Sequence, residues 1–369
     1  MRILEVITPS RIAGAETQFL TILRELKRLG DELVVFCPAN RPFASFLVRK
    51  GFQPVSWKTT GKLDPYTLFR FVKLIRERSI DVVHTHLSTA SLLGSFAAKL
   101  TGRPCVAMVQ GFNKATCYRY ADRLIAVCSG VKQYLVQQKV PEDRIEVIHN
   151  SVPSGDFHPQ PIDEAKRAFG FDPLVPRVGA FRRMDPEKGL DLAIKAWKTV
   201  VEHHPSAKLM LVGEGKAAPQ LKALAAQLGL TNYIEFPGFI PDAWRLMSAC
   251  DVLLLPSLKE ACALAALEAM ALARPVVVSD ASGLAEIVED GKSGLVVPRG
   301  RVEPLAEAII RVLNDTEFAK QLGQGARRRV EEHFDSRRQV EAIRNVLLRQ
   351  IKASQSYSSD QKEHFTVPS

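Results

Sequence analysis

Short strand-like runs alternate with helical periods along almost the whole chain. The first run, Met1 to Ile7, is followed by a turn, Arg11 to Gly14, and then by a helical pattern from Phe19 to Leu29. Further strand-like runs cover residues 32–37, 81–84, 105–109, 123–127 and 145–148. This order predicts a parallel sheet covered by helices, with ligands bound at the carboxyl ends of the strands.

A second series of the same kind follows a stretch rich in proline and glycine, residues 151–176. Its strand-like runs cover residues 177–182, 208–212, 233–236, 252–255, 275–278 and 295–297. With 369 residues, the chain is long enough for two domains. We therefore predict an α/β protein with two tandem, Rossmann-like, doubly wound domains that face each other across a cleft.

The predicted domain boundaries follow from these two series. The first domain covers residues 1–155 and the second covers residues 156–335. A helix over residues 336–352 is expected to join the first domain. The serine-rich tail, residues 353–369, is expected to be disordered.

Composition excludes several classes of protein. With 46% hydrophobic and 24% charged residues, the chain is not disordered overall. No uncharged run reaches the roughly 20 apolar residues of a membrane span, and the first apolar run is too short for a secretory signal. The six cysteines form no Cys-x-x-Cys pair, which favours free thiols. We expect a cytoplasmic protein.

The net charge of +10 is unevenly distributed. Residues 1–150 hold 22 basic against 12 acidic residues, whereas the rest of the chain holds 28 of each. Within the first part, residues 41–78 carry nine basic residues against Asp64 and Glu77. Such a concentration of charge attracts phosphate-rich partners, which include lipid headgroups, nucleic acid and acidic substrates.

One acidic residue interrupts an otherwise apolar helical stretch. Glu268 is the only charge between Ala261 and Ala273, so it is expected on a buried helix. A buried carboxylate requires partners, which could be sugar hydroxyls or a protein cation. Glu260 lies just before this helix and after a strand, where ligands bind, although a solvated loop charge is the alternative.

The spacing of these two acids resembles a known family. Glu260-x7-Glu268, followed by Ala-Met-Ala271 and Pro275-Val-Val, is similar to the donor-site signature of retaining family-4 glycosyltransferases, the glycosyl transferases group 1 with the GT-B fold. Nearly the whole chain shares the resemblance. Other matching pieces are Gly14-Ala-Glu16, Asp81-Val-Val-His-Thr-His86, Ala121-Asp-Arg123, Asn150-Ser-Val152, Lys188-Gly189, Leu211-Val-Gly-Glu-Gly215, Phe236-Pro-Gly238, Ala249-Cys-Asp251, Pro256-Ser257, Glu286 and Gly294.

The resemblance implies roles for residues of the second domain. Glu260 would bind hydroxyls of the donor sugar, and Glu268 would bind the ribose hydroxyls of the nucleotide. Arg182 and Lys188, six residues apart, would stabilise the departing diphosphate, with Arg183 as the rival of Arg182. Solvated loop cations are the alternative. The remaining donor-binding positions are Ala261, Cys262, Ala263, Leu264 and Phe239.

Two candidate residues belong to the first domain. Gly14 precedes the first helix, whose N-terminus could bind an anion, although Ala13 stands where the family usually has another glycine. His86 follows a strand and would project into the cleft to contact the reacting sugar, although a histidine at a strand end is more often structural. We expect His84 to point to the opposite face.

Three features depart from or compete with this resemblance. The chain has Glu260-Ala-Cys-Ala263 where the family commonly has Glu-Gly-Phe-Gly, and alanine cannot adopt every glycine conformation. It also has Gln110-Gly111 where His-Gly is common. Gly213-Glu-Gly215-Lys-Ala-Ala218 matches a dinucleotide fingerprint with Glu235 downstream, but no element of hydride transfer accompanies it.

The predicted activity is transfer of a sugar, with retention of configuration, from a nucleotide-diphosphate donor to a hydroxyl of a glycolipid or surface polysaccharide of the lipopolysaccharide type. The nucleotide sugar is a co-substrate, and no cofactor and no nucleic-acid partner are expected. The sequence contains no Asp-x-Asp pair, so no metal site is predicted. The alternatives are a sugar-nucleotide epimerase and a non-catalytic relative that binds sugar nucleotides.

The basic segment contains a helical pattern that could contact a membrane. Residues 66–78 place Leu68, Phe71, Val72 and Ile75 along one face, with Arg70, Lys73 and Arg76 elsewhere. One hypothesis is that this helix docks on an anionic membrane, at the inner face of the cytoplasmic membrane. The alternative is an ordinary helix that covers the first sheet.

Overall fold

The computed structural model describes residues 1–9, 13–62 and 64–363. The chain forms two compact units, and each contains one parallel sheet. The first unit holds Met1–Asn150 together with the chain from Ser336 onward, and the second holds Ser151–Asp335. Two tandem, doubly wound α/β units are what the alternation of strands and helices predicts.

The first sheet has six parallel strands in the order β2-β1-β3-β4-β5-β6. The strands are β1 (Arg2–Ile7), β2 (Glu32–Phe36), β3 (Val82–His86), β4 (Cys105–Val109), β5 (Arg123–Ala126) and β6 (Ile145–Val147). The α-helices of this unit are α1 (Gly14–Arg28), α2 (Pro42–Arg49), α3 (Pro65–Glu77), α4 (Ser88–Leu100), α5 (Ser129–Gln137) and α14 (Ser336–Glu363). Strands β3 and β4 are buried over their whole length, as expected for a sheet covered on both faces.

Helix α14 packs on the first unit. Gln18 of α1 donates a 2.7 Å hydrogen bond to Gln339, and Arg344 forms a 2.7 Å ion pair with buried Asp31. The helix continues to Glu363 instead of ending near residue 352. The structure describes helix for residues 353–363, which the sequence pattern assigns to a disordered tail, and residues 364–369 lie outside the described part of the chain.

The second sheet also has six parallel strands, in the order β12-β11-β10-β7-β8-β9. The strands are β7 (Arg177–Phe181), β8 (Lys208–Val212), β9 (Ile234–Gly238), β10 (Val252–Leu255), β11 (Val276–Ser279) and β12 (Leu295–Val297). The α-helices are α6 (Ile162–Ala168), α7 (Leu190–His203), α8 (Ala218–Gln227), α9 (Trp244–Met247), α10 (Leu264–Ala271), α11 (Ser282–Ala285), α12 (Val302–Asn314) and α13 (Thr316–His333). The central strands β7 and β10 are adjacent, so the loops that follow them meet.

Two glycine positions fix the loop after β7. Gly189 has φ +66°, and a Cβ there would overlap the carbonyl oxygen of Pro256. A Cβ at Gly213 would overlap the carbonyl oxygen of Arg182. The glycines that resemble a dinucleotide fingerprint therefore serve close backbone packing against residues 182–184, which holds the loop in place.

Helix α3 covers the first sheet. Phe71 and Ile75 are fully buried, and the Phe71 ring packs edge-on against Phe36 with the ring centroids 4.8 Å apart. Leu68 and Val72 are half-buried. The apolar face that could have entered a membrane therefore packs on the sheet, which favours the alternative of an ordinary covering helix. Within the described ranges, no helix is both long and apolar enough to cross a bilayer.

Candidate active site

Three of the predicted residues meet in the second unit. Glu260 follows β10, and Arg182 and Lys188 belong to the loop after β7. The Arg182 Nη2 lies 2.5 Å from Glu260 Oε2, and the Lys188 Nζ lies 3.1 Å from the same oxygen. Because β7 and β10 are neighbours, residues 78 positions apart in the chain form one charge cluster.

Glu260 is buried in this cluster with 8% exposure. Burial by itself would raise the pKa of Glu260, but the charges of Arg182 and Lys188 lower it overall, and hydrogen bonds from Lys188 and Ser257 add to the effect. The carboxylate is therefore ionised and holds both cations at the carboxyl ends of the strands.

Arg182 has hydrogen-bonding capacity to spare. Its Nε and Nη1 are buried and have no hydrogen-bond partner among the described residues. Burial lowers the pKa of this guanidinium, and the Glu260 carboxylate opposes that effect. Unpaired buried N–H donors cost free energy, so two such donors on one arginine favour a ligand with anionic oxygens.

Arg183, the rival of Arg182, has other partners. It forms a 2.5 Å ion pair with Asp185 and a longer one, 3.7 Å, with Glu187. Its side chain is 38% exposed, against 6% for Arg182. Between the two arginines, the structure brings Arg182 to the Glu260 cluster.

Glu268 lies on α10, a helix whose other faces are buried as predicted. Among the described residues, no donor lies within hydrogen-bonding distance of its carboxylate, so the alternative of pairing with a protein cation is not observed. Burial raises the pKa of Glu268 to about 7, and the charge of Asp242 adds to the shift. A half-buried carboxyl group without a protein partner is free to bind hydroxyl groups.

The backbone between the two acids tolerates alanine. Ala261 and Ala263 are buried, and neither is among the residues with positive φ. A Cβ at Gly283 would overlap the Ala261 carbonyl oxygen, so the loop packs tightly against the start of α11. Leu264 begins α10, whose first N–H groups have no acceptor within the helix, and Cys262 is half-buried beside them. The glycine-to-alanine departure therefore causes no backbone strain.

Phe239 directly follows β9 and is 65% exposed. It belongs to the loop that also carries Asp242, whose charge affects Glu268. An exposed aromatic ring in this loop offers an apolar surface to a ligand.

The predicted anion site at Gly14 is only partly described. Gly14 is exposed at the start of α1, and residues 10–12 of the preceding turn lie outside the described range. Glu16 accepts a 2.9 Å hydrogen bond from the Ala13 backbone N–H. A carboxylate of the chain itself therefore stabilises this helix N-terminus, and its charge opposes the approach of another anion.

His86 lies in a buried cluster in the first unit. The sheet register pairs Glu5 with His84, and Glu5 lies within 3.1 Å of both His84 Nδ1 and His86 Nε2. All three side chains are fully buried, and His86 is the last residue of β3, whereas the sequence pattern placed it after the strand with its side chain projecting into the cleft. The prediction that His84 points to the opposite face is wrong, because residues two apart on a strand share one face and both histidines contact Glu5.

Contacts with the two histidines favour the ionised form of the buried Glu5 carboxylate. Burial opposes ionisation of Glu5, but the charge and hydrogen bond of His84, with smaller effects from His86, lower the Glu5 pKa to about 2. Burial and the charge of His84 lower the pKa of His86 to about 4. Glu5 is therefore ionised and His86 neutral near pH 7.

Within the described part of the chain, these three residues form the group that could ligate a metal ion, since their ligand atoms lie within 4.8 Å of one another. His84 Nε2 and His86 Nδ1, however, have no hydrogen-bond partner among the described residues. Metal-binding histidines usually donate that second nitrogen to a neighbouring acceptor. The arrangement fits a hydrogen-bonded ionic cluster better than a metal centre.

Sequence reasoning did not assign roles to several polar residues beside these sites. Ser257 donates a 3.1 Å hydrogen bond to Glu260 Oε2, and its Pro-Ser motif was the available signal. Glu5 is the one acidic residue in the apolar strand β1. Gln110 accepts a 3.1 Å hydrogen bond from Asn150, while its own Nε2 has no partner in the described part of the chain.

The fold and this cluster define a class. The chain has two doubly wound units, each with a parallel sheet, and in the second unit an acidic residue is paired with two cations. Two such units are the architecture of GT-B glycosyltransferases. The family model described as Glycosyltransferase Family 4 matches residues 12–155, and the model described as Glycosyl transferases group 1 matches residues 162–329. The chain belongs to this family of glycosyltransferases, which confirms the resemblance.

Several known proteins are similar to this chain. The UDP-Gal:alpha-D-GlcNAc-diphosphoundecaprenol alpha-1,3-galactosyltransferase of Escherichia coli is 25% identical, and the match covers 92% of this chain and 98% of that protein. The capsular polysaccharide biosynthesis glycosyltransferase CapM of Staphylococcus aureus is 23% identical, with 89% and 88% coverage. The crystal structure of HepE from Anabaena in complex with UDP has a TM-score of 0.83 at 24% identity and covers 94% of this chain and 99% of that one.

Proposed function

We propose that this protein is a retaining glycosyltransferase that transfers a sugar from a nucleoside-diphosphate donor to a hydroxyl group of a glycolipid or surface-polysaccharide acceptor. The observation that carries the proposal is the cluster of Arg182, Lys188 and Glu260, in which Arg182 retains two unpartnered buried donors. UDP in the crystal structure of HepE supports a nucleotide-sugar donor.

The class of acceptor is supported by the similar proteins. The Escherichia coli relative is named for a diphosphoundecaprenol-linked acceptor, and CapM is named for capsular polysaccharide biosynthesis. Both acceptors belong to cell-envelope assembly. We therefore propose a lipid-linked or polymeric glycan acceptor for this chain.

The proposed mechanism places the donor in the second unit. When the bond between the sugar and the diphosphate breaks, negative charge grows on the leaving diphosphate. The free N–H groups of Arg182 and the Lys188 ammonium would stabilise that charge without a metal ion, because they are already held in place by Glu260. Glu268 would bind the ribose hydroxyls, and Glu260 would use its remaining capacity to bind the sugar.

The test is a panel of nucleotide sugars incubated with and without lipid-linked glycans, with release of nucleoside diphosphate as the readout. The proposal requires release that depends on an acceptor, and an α-linked product by NMR from an α-linked donor. Conversion of the sugar without an acceptor would instead identify an epimerase. Binding without turnover would identify a non-catalytic relative.

Two arginine variants test whether turnover depends on the charge cluster itself or on neighbouring cations outside it. Arg182→Ala should lower kcat by about 100-fold or more, since it removes a cation aimed at the leaving group. Arg183→Ala is the matched control, because Arg183 pairs with Asp185 and Glu187 outside the cluster, and it should retain most of the activity. Equal losses in the two variants would contradict the assignment.

We also propose that α3 approaches an anionic membrane through its solvent-exposed side. Tyr66 and Phe69 are 58% and 67% exposed on this helix, beside the cations Arg70, Lys73 and Arg76. Arg70 lies over the Trp57 ring, 4.5 Å from its centroid, so Lys73 and Arg76 are the cations to change. Such a surface suits peripheral attachment at the inner face of the cytoplasmic membrane.

Co-sedimentation with phosphatidylglycerol vesicles tests this surface. The variant Lys73→Glu/Arg76→Glu should reduce the bound fraction several-fold, and Phe69→Ala should weaken binding further. The control variant Lys198→Glu/Lys222→Glu makes the same charge change on the second unit. Vesicle binding that is equal in all of these proteins would reject the proposed surface.

A further inference from the structure

A charged cavity lies in the first unit, at the edge of the sheet opposite to the carboxyl ends of the strands. Its volume is about 650 Å³. The residues that form it come just before β4 and β5, from the end of α4, and from α14 at Gln350, Ala353 and Ser354. In a parallel sheet these positions are amino ends, so the cavity is separate from the predicted ligand edge.

Four cations from three chain segments line this cavity. They are Lys99, Arg103, Arg119 and Arg144. Among the described residues, none of the four lies within ion-pair distance of a carboxylate. Like charges brought together repel one another, and the single carboxylate in the lining does not balance four cations, so a bound anion would offset the remaining cost.

The one carboxylate in the lining is already engaged. Asp122 Oδ2 accepts a 2.7 Å hydrogen bond from the Cys105 backbone N–H, which ties it to the start of β4. With four cations against this one carboxylate, the cavity carries a net positive charge. The four cations belong to residues 1–150, the part of the chain that carries the whole basic excess of the protein.

Three of the four cations are held by groups other than acids. The Arg119 guanidinium lies 4.6 Å and the Lys99 ammonium 5.7 Å from the centroid of the Tyr120 ring. Tyr120 itself stacks on Phe96 with the centroids 4.7 Å apart. Arg144 donates to the Ala121 carbonyl oxygen. These contacts orient the charges while leaving donors available, which is how a preorganised anion site is built.

We propose that this basic pocket, defined by Lys99, Arg103, Arg119 and Arg144, binds a phosphate group. Guanidinium groups present paired N–H donors that match phosphate oxygens, and three of the four cations are arginines. The phosphate belongs either to a free anion, such as a diphosphate, or to the headgroup of an anionic lipid. The proposal does not depend on the glycosyl-transfer chemistry of the second unit.

Calorimetric titration with inorganic pyrophosphate tests the free-anion form. The variant Arg103→Ala/Arg119→Ala should bind pyrophosphate at this site at least tenfold more weakly. The matched control is Arg24→Ala/Lys139→Ala, because both residues are exposed in the same unit and lie outside the pocket. Lys188→Ala removes a cation of the other candidate diphosphate site, so it distinguishes binding there from binding in the pocket.

Co-sedimentation with phosphatidylglycerol and phosphatidylcholine vesicles tests the lipid form on the same variants. If the unaltered protein binds vesicles but not pyrophosphate, and only Arg103→Ala/Arg119→Ala loses vesicle binding, the phosphate is that of a lipid headgroup. Loss of pyrophosphate binding in that variant assigns it to a free anion. If the pocket variant and the control, both folded by circular dichroism, bind pyrophosphate and vesicles like the unaltered protein, the proposal is overturned. The proposal is also overturned if the unaltered protein binds neither vesicles nor pyrophosphate, apart from pyrophosphate binding that Lys188→Ala removes.

Discussion

At the scale of single residues, Glu268 combines a burial cost with a proposed binding role. Its pKa is raised to about 7 in the folded chain, whereas an unfolded chain has the ordinary glutamate value. Between these two pKa values the folded chain therefore binds more protons than the unfolded chain. The contribution of protonated Glu268 to the free energy of unfolding falls as pH rises through that window. Above it, the folded chain carries an unpaired, half-buried charge.

Glu268→Gln should consequently stabilise the protein at pH 8 by on the order of 1–2 kcal/mol while greatly weakening donor binding. At pH 5 the difference in stability should become small. Urea unfolding at both pH values measures this, with Glu307→Gln as the control because Glu307 is exposed on α12. A variant that is less stable than the parent at pH 8 would show that Glu268 has a favourable partner.

The buried Glu5 cluster gives the first unit a different pH dependence. The pKa of His86 is lowered to about 4 and that of Glu5 to about 2, so the unfolded chain binds more protons than the folded chain across this acidic range. Stability should fall as pH decreases from near 6.5 toward 4 because of His86, and further toward 2 because of Glu5.

His86→Gln should flatten the decrease in stability between about pH 6.5 and pH 4, even though it loses stability at pH 7. Unfolding midpoints at a series of pH values test this expectation. His158→Gln is the control, because His158 is exposed and should leave the pH profile unchanged. An unaltered slope in His86→Gln would exclude a neutral, buried His86 as the source of the acid sensitivity.

At the scale of elements, the loop after β7 depends on close contact with the loop after β10. Gly189 combines a left-handed φ with backbone contact to Pro256, and it directly follows Lys188. Any side chain at this position would push the two loops apart and would move the Lys188 ammonium away from Glu260.

Gly189→Ala should therefore cost about 2 kcal/mol or more in unfolding free energy and should also reduce turnover. Gly229→Ala is a matched control, since Gly229 has φ +71° but open space around its Cα. That variant should lose only about 1 kcal/mol, with activity kept. Chemical denaturation measures the loss of stability, and an initial-rate assay measures turnover. Equal losses in the two variants would contradict the role of close packing at Gly189.

At the scale of the whole molecule, the end of the chain stabilises its beginning. Val340, Ile343 and Leu347 of α14 are buried, and Arg344 pairs with Asp31, whose side chain is fully buried. Truncation after Asp335 removes these contacts from the first unit and leaves the Arg182 cluster of the second unit intact.

We expect this truncation to lose protection from hydrogen exchange throughout the first unit while the second unit keeps its protection. Truncation after Ser356 is the control, since it retains every contact named above. Exchange that rises equally in both units would mean that α14 stabilises the molecule as a whole.

The sequence by itself determined the layer architecture, and it predicted the candidate site residues of the second unit. Strand and helix periods are local properties, so they predicted both parallel sheets and the buried helix around Glu268. The spacing of Glu260 and Glu268 and that of Arg182 and Lys188 were also readable, because the members of each pair lie on one loop or one strand-to-helix segment. Local patterns could not locate where α14 ends, since the continuation beyond residue 352 lacks an apolar period.

Only the tertiary structure decided which distant residues meet. Sheet register places Glu5 beside His84 and His86, 79 and 81 positions away, and so buries a histidine that we expected from the sequence to project into the cleft. Loop packing selects Arg182 over its neighbour Arg183, and the fold gathers four cations from three chain segments into the basic pocket. Contacts of this kind depend on the positions of whole elements, because a side chain's neighbours across a sheet are set by register and packing and not by its own sequence.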